Sequence, residues 1–244
     1  MLHIFNRWFL WIILLGTLVA LTGAILWDSR VRDQQSFDDT IAMESQVDEA
    51  GTRELDDTDN RRVSYVRSVL DTLQHDRARL PYYGELIRIY SDSGFYFEAA
   101  GFAEKRAEAT GRSGDWKEAA GLYFDVVRQN RDEEIANRSA RKAESMYIKA
   151  LDYRPGDPDL KTDLAVVYMS LLKPEKSYEI LNKVLENYPD HLRANFNIGV
   201  LLHQMGNADQ SIAFFDRSLE LAADPEWKTL VQDYLDRHHH ELHH

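Results

Sequence analysis

A long apolar run opens the chain and gives way to a polar stretch and then to helical patterning. Trp8 to Trp27 contains twenty residues without a charge. At a helical rise of about 1.5 Å per residue it spans roughly 30 Å, the thickness of a bilayer's hydrocarbon core. Trp8, Trp11 and Trp27 lie near its ends, where amphipathic rings prefer the headgroup level. The pattern predicts a transmembrane helix over 8–27, preceded by a short tail over 1–7.

A cleavable signal peptide is the alternative reading of this run. Its best cleavage site follows Thr22-Gly23-Ala24, a weak match to the small-x-small pattern, and the apolar run continues to Trp27. We therefore interpret the run as a retained anchor. Arg7 precedes it and Arg30 and Arg32 follow it, so basic flanks do not decide the orientation. A short tail before a large domain favours export of the domain.

Small residues recur every fourth position inside the predicted membrane helix. Gly16, Ala20 and Ala24 form a strip on one helical face, and such strips pack helices against each other in membranes. They are a candidate helix-packing face, which would allow a homo-oligomer. The alternative is that small residues are simply common in membrane helices, and the sequence leaves both readings open.

An acidic segment separates the apolar run from the rest of the chain. Residues 28–59 contain eleven Asp and Glu against three Arg, a local charge of −8. Apolar residues are sparse there, so the segment cannot bury enough surface to offset the entropy of ordering. The composition predicts a flexible linker over 28–59. An acidic recognition motif is the alternative.

The remainder of the chain repeats. Pro155, Pro189 and Pro225 close similar segments and lie 34 and 36 residues apart. When residues 158–191 are aligned with residues 192–225, apolar positions coincide, and within each unit they fall three and four apart. That spacing is typical of amphipathic helices. Each unit is therefore predicted to be two helices joined by a short turn.

This pattern resembles the tetratricopeptide repeat family, whose unit of 34 residues is a helix pair. The residues at the family's preferred positions are Leu164-Ala165, Tyr168, Ser177, Pro189, Ile198-Gly199 and Ser211. The resemblance implies an all-α fold, an α-solenoid of stacked helix hairpins behind the N-terminal transmembrane helix. Its predicted parts are degenerate repeat-like helices over 60–155, two clear units over 156–224, a capping helix over 225–237 and a His-rich tail over 238–244.

Upstream of the clear units the repeat pattern is looser. Phe95–Thr110 and Gly114–Tyr123 are interpreted as the first and second helix of one unit, and Ala143–Pro155 as another second helix. Residues 132–153 also fit one long helix, which would interrupt the array.

The resemblance implies a binding face, because first helices of stacked hairpins line a concave surface suited to an extended peptide or a partner helix. The predicted groove residues are Asp159, Thr162, Asp163, Val166, Met169, Arg193, Phe196, Asn197, Val200 and His203. Some family members clamp a terminal carboxylate with Lys and Asn, but Asp159 and Asp163 argue against such a clamp here. The alternative is an ordinary exposed helix face.

Few features of the sequence indicate a catalytic, cofactor-binding or metal-binding site. The net charge of −12 argues against general nucleic-acid binding, and the lack of Cys excludes thiol catalysis and Cys-based metal sites. There is no Gly-rich phosphate loop, so no cofactor is expected. His240–His244 satisfies the H-E-x-x-H zinc pattern, but the last residues of a chain offer no walled cleft for catalysis. A zinc-dependent hydrolase is the remote alternative, and neither a catalytic residue nor a metal ligand is assigned.

The predicted function is that of a non-enzymatic, membrane-anchored scaffold that binds a partner protein or peptide. Resemblance to anchored arrays of this kind implies the bacterial inner membrane, a single span and a periplasmic domain. It also implies help in assembling an envelope complex, of the cytochrome c maturation, secretion or polysaccharide export type. A purely structural, oligomerising membrane protein is the alternative.

Overall fold

The computed structural model describes residues 54–238, which form ten α-helices and no strand. The helices are α1 (Asp57–Thr72), α2 (Asp76–Asp92), α3 (Tyr96–Thr110), α4 (Ser113–Gln129), α5 (Glu133–Tyr153), α6 (Pro158–Ser170), α7 (Pro174–Asn187), α8 (Leu192–Gln204), α9 (Ala208–Leu221) and α10 (Pro225–Arg237). Each helix packs against the next one in the chain. The expectation of an all-helical, repeat-like solenoid is confirmed for this part of the chain.

Side-chain caps explain where several helices begin. The carboxylate of Asp56 accepts the backbone N–H groups of Thr58 and Asp59, both at 2.8 Å, and so starts α1. Asp132 and Asp157 cap α5 and α6 in the same way. The predicted linker is therefore too long at its end, because residues 57–59 already belong to a helix.

Three of the helix hairpins share one turn geometry. Gly94, Leu172 and Gly206 have φ values of 79°, 54° and 81°, in the left-handed region. The residue after each donates its backbone N–H to the carbonyl five positions earlier, at 2.8 Å from Phe95 and 2.9 Å from Lys173 and Asn207. The pairs α2/α3, α6/α7 and α8/α9 are therefore equivalent hairpins.

The same register continues into the second helix of each hairpin. Ala99, Ser177 and Ser211 lie five residues after the left-handed position and have no exposed surface. A small side chain there lets the two helices approach closely, and the Ser177 hydroxyl donates to the carbonyl of Ala165 at 2.9 Å. Because α3 carries this position, it is the second helix of its hairpin, and the interpretation of Phe95–Thr110 as a first helix is wrong.

The α4/α5 hairpin is longer than its neighbours. Helices α4 and α5 have 17 and 21 residues, against 13 and 14 in α6 and α7. Nineteen residues separate the buried Tyr123 from Ala143, whereas eight separate Tyr168 from Ser177. Since α3 is a second helix, α4 is a first helix, and the interpretation of 114–123 as a second helix is also wrong. The array continues through this unit with an extended tip.

Helix α10 closes the described part of the array. Its buried Val231 packs with Phe215 of α9, and Trp227 donates its ring N–H to the hydroxyl of Ser218 at 3.0 Å. Within residues 54–238 no helix has the length and apolarity needed to cross a bilayer. The predicted membrane helix over 8–27 lies outside the described residues.

Candidate partner-binding face

The first helices α4, α6 and α8 are joined by charged side chains. Asp163 of α6 lies between Lys117 of α4 and Arg193 of α8. The Lys117 Nζ is 3.5 Å from Asp163 Oδ2, and the Arg193 guanidinium donates to Oδ1 of the same carboxylate. The side chain of Asp163 is 9% exposed, whereas those of Lys117 and Arg193 are 44% and 39% exposed. One buried anion therefore orients two accessible cations.

A second acidic residue extends this arrangement by one helical turn. Asp159 Oδ1 lies 3.2 Å from His191 Nε2 and 3.8 Å from an Arg193 nitrogen. The Nδ1 atom of His191 accepts the backbone N–H of Ala194 at 3.1 Å, which orients the ring with Nε2 toward Asp159. His191, which precedes α8, thus contacts Asp159 in the first turn of α6.

These residues define what we call the first-helix face: Lys117, Asp159, Val166, Arg193 and Asn197. Asp159 is exposed and the other four are half-buried. Asn197 follows Arg193 by one turn, and Val166 follows Asp159 by two turns, so each pair lies on one side of its helix. The surface is mixed, with both charges, an amide and an apolar side chain.

Thr162 is not part of this face, which corrects the predicted groove. It has no exposed surface, and its hydroxyl donates to the carbonyl of Pro158 at 2.8 Å. Asp163 is almost as deeply buried and acts through its two cationic partners. Met169 packs against the core formed by α6, α7 and α8.

The predicted groove residues near the end of the array are covered by α10. The ring of Phe196 lies 5.6 Å from that of Trp227 and 5.8 Å from that of Tyr234, centroid to centroid. Val200 packs against the same cluster, and His203 Nδ1 lies 2.9 Å from the hydroxyl of Tyr234. Since α10 already occupies this stretch, these three predicted groove residues contact the cap.

Lys117 was missed because α4 was interpreted as a second helix. The signal was present: Trp116, Ala119, Ala120 and Tyr123 follow the spacing that the repeat family prefers in its first helix. All four are buried. That register places Lys117 on the same side of the array as Asp163.

A tyrosine and a glutamate also link successive hairpins. Tyr123 donates its hydroxyl to Glu104 at 2.7 Å, and the Lys142 Nζ lies 3.3 Å from that carboxylate. Burial and the charge of Glu104 raise the pKa of Tyr123 well above its ordinary value. At the next junction, Lys173 lies 2.9 Å from Glu144.

The described residues do not support a metal-binding site. Between residues 54 and 238 no group of three or more His, Asp or Glu side chains is arranged to hold a metal ion. The H-E-x-x-H pattern at 240–244 and the predicted helix-packing residues Gly16, Ala20 and Ala24 lie outside the described residues.

Comparison with known proteins identifies the repeat. A family model described as tetratricopeptide repeat matches residues 134–191 and 173–234. The crystal structure of MamA is similar with a TM-score of 0.50 and 20% identity, covering 65% of this chain and 85% of that one. The crystal structure of TTC0263, a thermophilic TPR protein of Thermus thermophilus, is similar with a TM-score of 0.54 and 20% identity, covering 72% of this chain and 90% of that one. No curated protein matches the chain.

Proposed function

We propose that the chain, which matches a tetratricopeptide repeat model over residues 134–191 and 173–234, is a non-enzymatic scaffold that binds a partner protein through the first-helix face. The observation that carries this proposal is the Lys117–Asp163–Arg193 bridge. It holds three successive first helices in register and leaves two cations half exposed. A partner segment lying across the face would meet both charges, together with Val166 and Asn197.

Open space beside this bridge supports the proposal. Gly121 follows Lys117 by one turn of α4, so both lie on one side of that helix. A Cβ atom added at Gly121 would meet no atom within 4 Å. A glycine in a helix interior costs about 1 kcal/mol relative to alanine, and packing within the chain does not require it here. A partner backbone that approaches this point closely would explain why the position is a glycine.

Filling this space tests the proposed face. The Gly121→Leu variant places a side chain where the partner would lie, so we expect weaker partner binding with an unchanged helical spectrum. Gly101→Leu is the matched control, because Gly101 lies on the second helix α3 and its Cβ would also meet nothing within 4 Å. Equal partner binding by the wild type and Gly121→Leu would contradict the proposal.

Site-specific crosslinking identifies the partner protein whose binding to these variants is compared. A photo-crosslinking residue at Asn197, on α8, is compared in native membranes with the same residue at Asn182, which is exposed on α7. We expect a specific product from position 197 and none from position 182. Lys117→Ala should weaken that product, since it removes one of the two accessible cations. Phe196 is unsuitable for this purpose, because replacing it would disturb the packing of α10.

The cellular setting is part of the same proposal. The uncharged run from Trp8 to Trp27 supports a single membrane anchor. The bacterial inner membrane, a periplasmic position for residues 54–238 and a role in assembling an envelope complex belong to the proposal through the resemblance to anchored arrays of this kind. The test fuses reporters that are active on only one side of the membrane to the end of the chain. Activity of the cytoplasmic reporter alone would contradict the proposed orientation.

A further inference from the structure

One exposed leucine occupies a turn position at which the equivalent hairpins have glycine. Leu172, between α6 and α7, has φ of 54° and is 87% exposed. The equivalent residues of the hairpins α2/α3 and α8/α9 are Gly94 and Gly206. A left-handed leucine costs free energy, and strain of this kind is found where a residue serves a function. Contact with a second molecule would offset the cost by burying the leucine side chain.

Two lysines follow this leucine, and one aromatic ring holds both of them. The Nζ atoms of Lys173 and Lys176 each lie 5.4 Å from the ring centroid of Tyr168. Lys173 also lies 2.9 Å from the carboxylate of Glu144 on α5. Lys176 forms no ion pair with any residue between 54 and 238. The turn therefore presents positive charge beside an exposed apolar side chain, at the junction of the second helices α5 and α7.

The neighbouring side of α5 adds a third cation and a second apolar side chain. Arg141 precedes Glu144 by three residues and Ile148 follows it by four, so the three lie on one side of the helix. Arg141 is exposed and donates its Nε–H to the side chain of Asn137 at 3.2 Å. It has no ion-pair partner in the described part of the chain. Ile148 is 43% exposed.

These residues define what we call the outer patch: Arg141, Glu144, Ile148, Leu172, Lys173 and Lys176. It has three cations and one carboxylate, a local charge of +2 on a chain whose net charge is −12. Glu179, one turn after Lys176, is neutralised by its pair with Lys183 at 2.6 Å. Glu175 points about 100° away from Lys176 around the helix axis. Since second helices form the outer patch, it is separate from the first-helix face.

We propose that the outer patch is a second binding surface, which takes an acidic segment of a partner protein that also carries a large apolar side chain. The carboxylates of this segment pair with Arg141 and Lys176, and its apolar side chain covers Leu172. Charge complementarity selects this occupant, because a positive patch on an otherwise acidic protein attracts acidic segments and repels basic ones. Burial of Leu172 against the partner offsets the strain of its backbone.

Crosslinking of the full-length chain in intact cells identifies the occupant. A photo-crosslinking residue replaces Ile148, which lies five residues after the buried Ala143 of α5. The matched control replaces Asp216, which is exposed and lies five residues after the buried Ser211 of α9. We expect a product from position 148 and none from position 216. Mass spectrometry of the crosslinked segment should identify a sequence rich in Asp and Glu with at least one large apolar residue.

The affinity of the full-length protein for a fluorescent peptide of the captured sequence tests the assigned roles. Leu172→Gly should weaken binding about tenfold or more, the loss expected when a leucine side chain is no longer buried. The same change should stabilise the array, so unfolding cannot explain weaker binding. Lys176→Glu should also weaken binding, and salt should lower the affinity of the wild type. Lys228→Glu, at an exposed lysine of α10, should leave the affinity unchanged.

The variants also keep the two binding surfaces apart, since Gly121→Leu should retain affinity for this peptide. Equal affinity of the wild type, Leu172→Gly and Lys176→Glu would overturn the proposal. The absence of a product from position 148, or a captured segment without acidic residues, would overturn it as well. A product formed only with this chain's own residues 28–53 would show that no separate partner occupies the outer patch, which also contradicts the proposal.

Discussion

A Cβ atom on Gly199 would lie 2.8 Å from Cε1 of Phe215, closer than side chains pack. Phe215 is completely buried, so the glycine of α8 makes room for the ring of α9. The equivalent positions of the preceding hairpin are Ala165 and Leu181, both fully buried. A larger residue on the first helix is thus matched by a smaller one on the second.

The first prediction is that Gly199→Ala destabilises the array although alanine is the better helix former. Overpacking a core typically costs about 1–3 kcal/mol, and the gain in helix propensity is about 1 kcal/mol. We expect a net loss of about 1 kcal/mol in the free energy of unfolding, measured by urea denaturation. Gly121→Ala is the control, since its Cβ meets nothing, and it should gain about 0.5–1 kcal/mol.

The same relationship predicts a rescue. In the double variant Gly199→Ala, Phe215→Leu, the pair becomes the one found at Ala165 and Leu181. Phe215→Leu alone leaves a cavity, and the added methyl group fills part of it, so the double variant should be more stable than the sum of the single changes by about 1 kcal/mol. Additive effects would contradict direct packing between these positions.

The second prediction concerns Leu172, which has φ of 54° and is 87% exposed. The left-handed conformation costs a residue with a side chain about 1–2 kcal/mol. Because the side chain of Leu172 is exposed, its burial does not offset this cost. Glycine occupies the same position in the turns at Gly94 and Gly206. Leu172→Gly should therefore raise the free energy of unfolding by about 0.5–1 kcal/mol after the entropy cost of glycine. Thermal unfolding measures this, and a lower stability would refute the strain argument.

The third prediction concerns the buried charge of the first-helix face. Asp163→Asn removes the anion shared by Lys117 and Arg193 and leaves two cations facing each other. Breaking a fully buried pair costs about 3–5 kcal/mol, and both cations here are partly exposed, so we expect about 1–2 kcal/mol. The loss should shrink at high salt. Glu179→Gln breaks an exposed pair with Lys183 and should leave the denaturation midpoint unchanged.

The fourth prediction is a loss of stability in alkali. Burial, together with Asp163, raises the pKa of Tyr147, and burial with Glu104 raises that of Tyr123. In the unfolded chain tyrosine has a pKa of about 10. The stabilising contribution is therefore complete below pH of about 10 and is lost as pH rises toward the folded-state values. Denaturation midpoints between pH 8 and pH 11 measure the decline.

Single substitutions assign this decline to the buried rings. Tyr147→Phe should flatten the dependence of the midpoint on pH above 10, because it removes one ionisable group that the fold holds neutral. Tyr65→Phe should leave the dependence unchanged, since Tyr65 is 67% exposed. A flat profile in the wild type would contradict the role given to burial.

Local signals in the sequence were enough to predict the helices and the pairing of helices in two of the hairpins. Apolar residues three and four apart predict helices, Pro158, Pro174 and Pro225 lie at helix starts, and the small residues Ser177 and Ser211 indicate where second helices approach first ones. Each of these signals acts within one helix or one hairpin, so the linear spacing carries it.

The pairing of the upstream helices needed more than local spacing. The extended α4/α5 hairpin breaks the 34-residue period, so counting back from the clear units assigns α3 and α4 to the wrong positions. The left-handed residue at Gly94 and the burial of Ala99 restore the register. Both are properties of packed helices rather than of residue spacing.

The sequence by itself determined a helical repeat, its period over 156–224 and the side of each helix that turns inward. Only the tertiary structure decided which inward residues remain accessible. Thr162 is buried between helices, Phe196 is covered by α10, and Lys117 reaches Asp163 from the preceding hairpin. The physical reason is that helical periodicity specifies the direction of a side chain about its own axis, whereas exposure depends on neighbouring units whose placement is set by packing between hairpins.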